Sequence, residues 1–370
     1  MRILHTSDWH LGISLHNISM HDEHRHFKNM LSRIIRDNNI DIVAVSGDIF
    51  DSSVSNSEAI ALYNDIVNEI CLDLKTPMLV IAGNHDGAAR LSSMRRLLTK
   101  SRMFVSGKLE RDIKPISFED ADFYLIPYFN IDEARYLYPE HEIKNYEDAM
   151  NVVCDEIREK MDRKKANIVL SHSFVGGALL SDGERSAAVG TVNIISQQVF
   201  KEFSYVALGH IHRKQKLADN IFYSGSPLKY SIGEANQNKF VLIYDTQTDT
   251  VGEIPIIPLN NLCVIEGAYD TLINSEFSED YVKVIVNDKY VGIEMLESFR
   301  SIFPNLIALE GKSISASDSV TTLTMEEVRN MAPLDIVNKF FEENFDAEVE
   351  PQQINSFLEL LSKSGEEEFS

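Results

Sequence analysis

Apolar residues along the first half of the chain alternate between two periods. MRILHTS reads as a strand, after which Phe27, Met30, Leu31, Ile34 and Ile35 fall on one helical face, and IDIVAVS reads as a second strand. Ile60, Tyr63, Val67 and Ile70 mark another helix, followed by PMLVIAG as a third strand. This β-α-β-α-β order predicts an α/β fold with a largely parallel sheet covered by helices. Later, ANIVLSH, FSYVALGH, IFYSGSP and NKFVLIYD read as further strands with little helix among the last three. That shift predicts one sheet stacked on another, with helices outside.

After about residue 265 the texture changes. DYVKVIVND alternates like a strand, GIEMLESFRSIF like an amphipathic helix and NLIALEGKS like another strand, which predicts a small α+β module. Beyond SVTTLTMEEV, Ile336, Val337, Phe340 and Phe341 share one helical face and Ile354, Phe357, Leu358 and Leu361 another. The final SGEEEFS is expected to be disordered.

Composition narrows the class of protein. With 44% hydrophobic and 25% charged residues over 370 positions, the chain matches one large folded domain plus a smaller one. No run is apolar enough to span a bilayer, and Met1 leads straight into a strand without a secretory leader. The expectation is a cytoplasmic protein with no membrane partner. Cys71, Cys154 and Cys263 are widely spaced and outside any CxxC pattern, which fits reduced, mostly buried thiols. The net charge of −22 argues at first against nucleic acid as a partner. That objection is partial, because divalent metals, a local groove or a partner subunit can supply positive potential.

The strands end in similar chemistry. A carboxylate and an imidazole at a strand tip, as in Asp8-Trp9-His10, are costly to bury unless compensated, and a metal ion is the usual compensation. Alone the triplet says little, since Asp and His are common in turns and caps. The second strand ends in SGDIFD with Asp48, the third in AGNHD with Asn84 and His85, and later strands deliver His172, His210 and His212. Ligands of open α/β sheets bind outside the carboxyl ends of strands, so these residues should converge. Gly47, Gly83 and Gly209 each precede a polar residue and permit close backbone approach.

Carboxylates from Asp8 and Asp48, the Asn84 amide and imidazoles from His10, His172, His210 and His212 suit manganese, iron or zinc rather than calcium. The set exceeds what one metal needs and matches two metals about 3.5–4 Å apart, with His85 left over. A single strand-end histidine is more often structural, and a GD pair is often only a turn. Here that explanation would have to hold separately at every strand end. His16, His21, His24 and His26 lie in or just before the first helix and are expected to be mostly solvated; His5, inside the first strand, is expected to be packed.

The ordered set DWH, GDIFD, GNHD, SH and GHIH resembles the calcineurin-like metallophosphoesterase superfamily. The phrases MRILHTSDWHLG, SGDIFDSS, IAGNHDGAARL, YVALGHIHRKQ and YSGSP narrow the resemblance to the SbcD-type nuclease subunits of double-strand-break repair complexes. It covers about residues 1–245 in motif detail and the remainder only in layout.

The resemblance implies a β-sandwich flanked by helices as a nuclease domain over 1–265 and a DNA-contacting capping domain over 266–325. It further implies helices over 326–363 that dock on an SbcC-type ATPase, ahead of a tail over 364–370. By position, Asp8, His10 and His212 would bind one metal and Asn84, His172 and His210 a second, with Asp48 bridging; both ions would be Mn2+. His85 would face the scissile phosphate, stabilising charge or protonating the leaving oxygen. Arg90, five residues on, is read as a plain surface arginine, with a hold on phosphate as the alternative. The implied activity is manganese-dependent exonuclease action on duplex ends and endonuclease action on single strands or hairpins, in DNA repair, recombination and replication. A homodimer within a heterotetramer is the implied assembly. The same ligands would also serve a phosphodiesterase or phosphatase of small molecules or phosphoproteins. A non-catalytic scaffold on this fold is the other alternative, against which every expected ligand is present.

Overall fold

Strands and helices alternate from the first residues because each strand carries apolar side chains on both faces and needs cover on both. The computed structural model describes residues 1–181, 193–287 and 292–312, and Met1–Gly311 form one unit. Strands β1 (Arg2–Thr6), β2 (Ile42–Ser46), β3 (Met78–Ile81) and β4 (Met103–Ser106) run parallel. Helix α1 (His21–Asp37) connects β1 to β2, and α2 (Ser57–Asn68), capped by the Asn56 side chain on the Ala59 N–H, follows β2.

A second sheet holds β5 (Ile116–Ser117), β6 (Ala121–Ile126), β7 (Ala166–His172), β8 (Tyr205–Gly209), β9 (Gln215–Ala218) and β10 (Ile221–Tyr223). Between β6 and β7 lie α3 (Ile131–Leu137) and α4 (Tyr146–Lys160), the latter started by a capping box of Asn145 and Asp148. The chain then returns to the first sheet: β11 (Lys239–Asp245) lies antiparallel to β1, and β12 (Thr250–Ile256) forms the edge beside it. The spatial orders are β12-β11-β1-β2-β3-β4 and β9-β10-β8-β7-β6-β5.

The period-two alternation of the central strands makes three apolar layers. Ile3, Ile42, Ala44, Leu79 and Ile81 of the first sheet meet Phe123, Leu125, Ile168, Leu170 and Ala207 of the second. Leu4, Val43, Val45 and Val80 face outward to Phe27 and Leu31 of α1 and Ile66 of α2. Tyr124, Val169, Val206 and Leu208 face outward to Met150, Val153 and Ile157 of α4. Each such side chain stabilises by about 1.5–3 kcal/mol when fully buried. This is the expected sheet-on-sheet architecture with helices outside.

The sequence reading assigns no element between PMLVIAG and ANIVLSH, where the structure places β4, β5, β6, α3 and α4. The spacing of Met150, Val153, Cys154 and Ile157 in α4 was a legible helical signal. His5 is packed as expected: it is fully buried between the sheets, with its ring nitrogens on the Tyr205 hydroxyl and the Leu208 carbonyl. Cys71 and Cys154 are buried and Cys263 is half-buried, all free.

The small module has three parallel strands rather than the two expected from the sequence: β13 (Leu262–Gly267), β14 (Tyr281–Val286) and β15 (Leu306–Gly311), with helix α5 (Ile293–Ile302) between the last two. A boundary after residue 265 therefore falls inside β13, and the sheet begins at Leu262. Leu262 and Tyr281 pack on Leu15, Met20, Leu228 and Tyr230, and the Glu23 carboxylate of α1 accepts the N–H groups of Leu259 and Asn260. The expected helices over 326–363, the tail over 364–370 and the end of the capping segment lie outside the described residues.

Candidate metal centre

The loops at the carboxyl ends of β1, β2, β3, β7 and β8 meet at one edge of the sandwich. Three backbone bonds tie the first two loops together: Asp8 N–H to Gly47, His10 N–H to Asp48 and Leu11 N–H to Ile49. Asp8, His10 and Asp48 all take left-handed backbone, with φ of 53°, 45° and 48°, and His210 has φ of 99°. Non-glycine residues held there cost of order 1–3 kcal/mol each and persist only where surrounding structure fixes them. Close approach is the other local device. A Cβ on Gly209 would stand 1.9 Å from the Ser46 carbonyl oxygen, and one on Gly83 would stand 2.1 Å from an Asp48 carboxylate oxygen. Only glycine lets the two sheets and the two loops come this near.

The side chains converge with their acceptors inward. The His172 Nδ1–H donates to the Ser46 carbonyl at 2.8 Å, which leaves its Nε2 facing Asp48 Oδ2 at 3.2 Å and Asn84 Oδ1 at 3.0 Å. His210 Nδ1 lies 3.1 Å from the same Asn84 oxygen, and the His210 backbone N–H donates to Asp8 Oδ1 at 3.0 Å. The Nε2 atoms of His10 and His212 face each other at 3.2 Å, and His10 Nε2 is 3.8 Å from Asp48 Oδ2. Asp48 thus stands between the His10 and His172 imidazoles. Its other oxygen accepts the His85 N–H at 2.9 Å.

Burial shapes the charges. It pushes the Asp8 carboxyl up, against His172 and His212, which pull it down. Burial also opposes an ionised Asp48, but His172 outweighs it and holds that carboxyl far below the usual carboxylate range. Burial would lower His172, yet Asp48 and Asp8 raise it to about 9, whereas burial and His172 press His210 down to about 3. The pocket therefore favours positive charge between Asp48 and His172, whether carried by a proton or a metal.

The residues present fit divalent metal. Among the described residues, side-chain groups able to hold an ion are Asp8 with His10 and His212, Asp8 with Asp48 and His172, and His10 with Asp51 and His85. Carboxylate, amide and imidazole donors without thiolate suit a transition-metal dication. His10 Nδ1 is buried without a hydrogen-bond partner, 3.6 Å from Asp51 Oδ1. A cavity of about 410 Å3 opens over the cluster, lined among others by His10, Asp48, Asn84, His85, His210 and His212 and by Tyr128, Phe174, Leu180 and Ile211.

Every residue singled out from the strand ends is in this cluster. His85 is exposed toward the cavity, its Nδ1–H donates to the Asp51 carbonyl at 2.8 Å, and its ring lies 4.9 Å from that of His10. Its Nε2 is the atom left for proton exchange. Arg90 is exposed and donates to the Ser53 carbonyl rather than lining the cavity. His16 is exposed, and His21 and His26 are partly so.

His24 corrects the sequence reading. It is fully buried, not solvated, with Nε2 2.9 Å from the Trp9 carbonyl and 3.1 Å from the Tyr230 hydroxyl; burial pushes it down to about 4. Its position on the inner face of α1 turns it toward the loop that carries His10.

Several supporting residues escaped the sequence reading. Asp86 is buried and accepts the N–H groups of Gly83, Ile49 and Phe50, joining the loops of Asp48 and Asn84; burial and Asp48 raise it to about 6. Ser7 donates to Asp8 Oδ2 at 2.5 Å. Glu234 meets His212 and Lys239, whose ammonium and the His212 imidazole outweigh burial and hold the Glu234 carboxyl down to about 2. Asp51 and Asp86 sit inside the quoted GDIFD and GNHD motifs, a signal that was available. Glu234 and Lys239 had none.

Comparison with known proteins identifies the family. The family model described as calcineurin-like phosphoesterase matches residues 1–214. The SbcD subunit of the SbcCD nuclease of Staphylococcus epidermidis is 27% identical, with 98% of each chain covered. The protein of the same name from Staphylococcus saprophyticus is 29% identical, with 92% of each chain covered. Among solved structures, TT1561 of Thermus thermophilus aligns at 14% identity and a TM-score of 0.41, covering 69% of this chain and 99% of its own. With the family model matched over more than half of its length, the chain belongs to the calcineurin-like phosphoesterase family.

Proposed function

We propose that the chain is the nuclease subunit of an SbcCD-type complex, a metal-dependent hydrolase of DNA phosphodiester bonds. The observation that carries the reading is the convergence, from five strand ends on two sheets, of Asp8, His10, Asp48, Asn84, His172, His210 and His212 around one opening. Likeness over nearly the whole chain to the SbcD subunits of SbcCD nucleases supports the substrate class and the partner.

In this reading Asp8, His10 and His212 would hold one ion and Asn84, His172 and His210 another, with Asp48 shared between them. Two divalent ions, Mn2+ in this proposal, supply a nucleophile at neutral pH and stabilise charge on the attacking and leaving oxygens. His10 and Asp48 are kept in place by the paired loops of β1 and β2, and Asn84 by Asp86. His172 keeps Nε2 free as a donor because the Ser46 carbonyl takes its Nδ1 proton. His85 is held through Nδ1 by the Asp51 carbonyl, so its Nε2 can give a proton to the leaving oxygen or stabilise charge on the phosphate. Tyr128, Phe174, Leu180 and Ile211 give the opening an apolar share of its lining.

The module whose sheet begins at Leu262 acts as the capping domain, and the segment over 326–363 docks on an SbcC-type ATPase as part of a heterotetramer built on a homodimer. The activities are duplex-end exonuclease and single-strand or hairpin endonuclease, in a cytoplasmic repair complex. Among the described residues no helix is long and apolar enough to cross a membrane.

The test is incubation of the purified chain with Mn2+ and end-labelled DNA, single-stranded and linear duplex, beside an Asp48→Asn control. Cleavage that vanishes in the control is expected. Hydrolysis of a small model phosphodiester with no cleavage of DNA, even after adding the ATPase partner, would favour a small-molecule phosphodiesterase instead.

A further inference from the structure

The YSGSP segment has no part in ligation, yet it lies directly behind one of the ligands. Ser224, Gly225 and Ser226 run beneath His212: a Cβ on Gly225 would stand 2.6 Å from the His212 carbonyl oxygen, and the Ser226 N–H donates to that carbonyl at 3.1 Å. The Lys239 ammonium, at the start of β11, donates to the same carbonyl at 2.9 Å, to Ser226 Oγ at 2.9 Å and to Glu234 Oε2 at 2.5 Å. Glu234 Oε1 then receives the His212 Nδ1–H at 3.2 Å and the Ser231 hydroxyl at 3.0 Å. Glu234 is 1% exposed and Lys239 is 5% exposed.

A carboxylate behind Nδ1 fixes the His212 tautomer with Nε2 as the donor and makes that donor more basic. The opposite end of the centre differs. His172 has a neutral carbonyl, that of Ser46, behind its Nδ1. His10, beside His212, has no hydrogen-bond partner at Nδ1, with the Asp51 carboxylate 3.6 Å away. A carboxylate hydrogen-bonded behind Nδ1 therefore marks His212, at the end formed by Asp8, His10 and His212, and is lacking at His172.

We propose that Glu234 and Lys239 are positioning residues for His212, and that they make the Asp8–His10–His212 end of the centre bind its metal more tightly than the Asn84–His172–His210 end. Lys239 fixes the loop through the His212 carbonyl and holds the Glu234 carboxylate in place, while Glu234 orients the ring through its Nδ1. This rests on the two-metal reading of the site.

The experiment is a Mn2+ titration of the full chain, followed by the electron paramagnetic resonance signal of free Mn2+ and by calorimetry. The unaltered chain should show a tight and a weaker class of site. Glu234→Gln should weaken the tight class by about 10–100-fold and leave the weaker class unchanged. Because Glu234→Gln leaves a buried ammonium without its counter-charge, Glu234→Gln with Lys239→Met is measured as well. That pair removes both charges, and its metal-free melting temperature reports folding. Loss of the tight class in a folded double variant supports the proposal. Two sites of unchanged affinity, or equal weakening of both, would overturn it while leaving the two-metal reading intact. No binding by the unaltered chain would sink the two-metal reading and this inference together.

Discussion

The two sheets reach the centre by different means. The first contributes Asp8, His10, Asp48 and Asn84 from loops, and the first three of these are held in left-handed backbone. The second contributes mainly imidazoles, of which His172 is simply the last residue of a strand, while His210 alone combines a strand end with a positive φ. Oxygen donors come largely from strained turns on one side and nitrogen donors from straighter strand ends on the other. Neither sheet carries a complete set. The centre is thus a product of sandwich closure, and the apolar layer between the sheets offsets the strain stored in the loops.

Changes at the bridging residue and at a ligand from the second sheet should have the largest effect. Asp48→Asn is expected to abolish metal binding and hydrolysis together, and His172→Ala to lose the ion held with Asn84 and His210 together with hydrolysis, both exceeding the about 10–100-fold typical of residues that only support a ligand. Elemental analysis beside a model-phosphodiester assay checks both. An active His172→Ala variant would show that the ion assigned to Asn84, His172 and His210 is not needed for hydrolysis.

His85→Ala comes next. It should retain metal while turnover falls by about 10²–10⁴-fold, the range of general acid–base groups. An empty site in that variant would contradict the role assigned to His85.

Gly209→Ala addresses closure itself, because the added methyl group would collide with the Ser46 carbonyl of the other sheet. A loss of about 3 kcal/mol in urea unfolding is expected, at the upper end for overpacking. Metal binding should weaken in parallel; full stability with normal metal uptake would break the link between closure and site.

Saturation with Mn2+ at about 100 times the dissociation constant of a site should add about 2.7 kcal/mol to stability for each ion bound, reversibly with chelator. The shift should be absent in Asp48→Asn. Its survival there would place the ion elsewhere.

Asp86→Asn is confined to the first sheet. Asn offers a single acceptor oxygen and turns an NH2 toward donors that Asp86 now accepts, so a loss of about 1–3 kcal/mol is expected. An unchanged melting curve would mean that the Gly83, Ile49 and Phe50 N–H groups find other partners.

Much of this was legible in the chain. Strand-end motifs such as GD, NH and GHIH are local, so the convergent set could be named in advance, whereas the need for glycine at 83 and 209 comes from close approach to Asp48 and to Ser46 of the other sheet. The βαβ alternation was equally plain. The module's first strand was not, because LCVIEG looks no different from the end of the preceding strands, and only its pairing with Tyr281–Val286 assigns it to the small sheet.

The sequence by itself determined the strand ends, their donors and the layered architecture, since apolar periodicity and turn chemistry act over a few residues. Tertiary structure alone decided which polar groups stand behind those donors. His24 reads as a surface helix residue yet is buried against Trp9 and Tyr230, 206 positions away from the latter. Glu234 and Lys239 read as ordinary surface charges yet form a buried pair behind His212. A buried polar atom must find a partner wherever the fold supplies one, and that choice is made in space rather than along the chain.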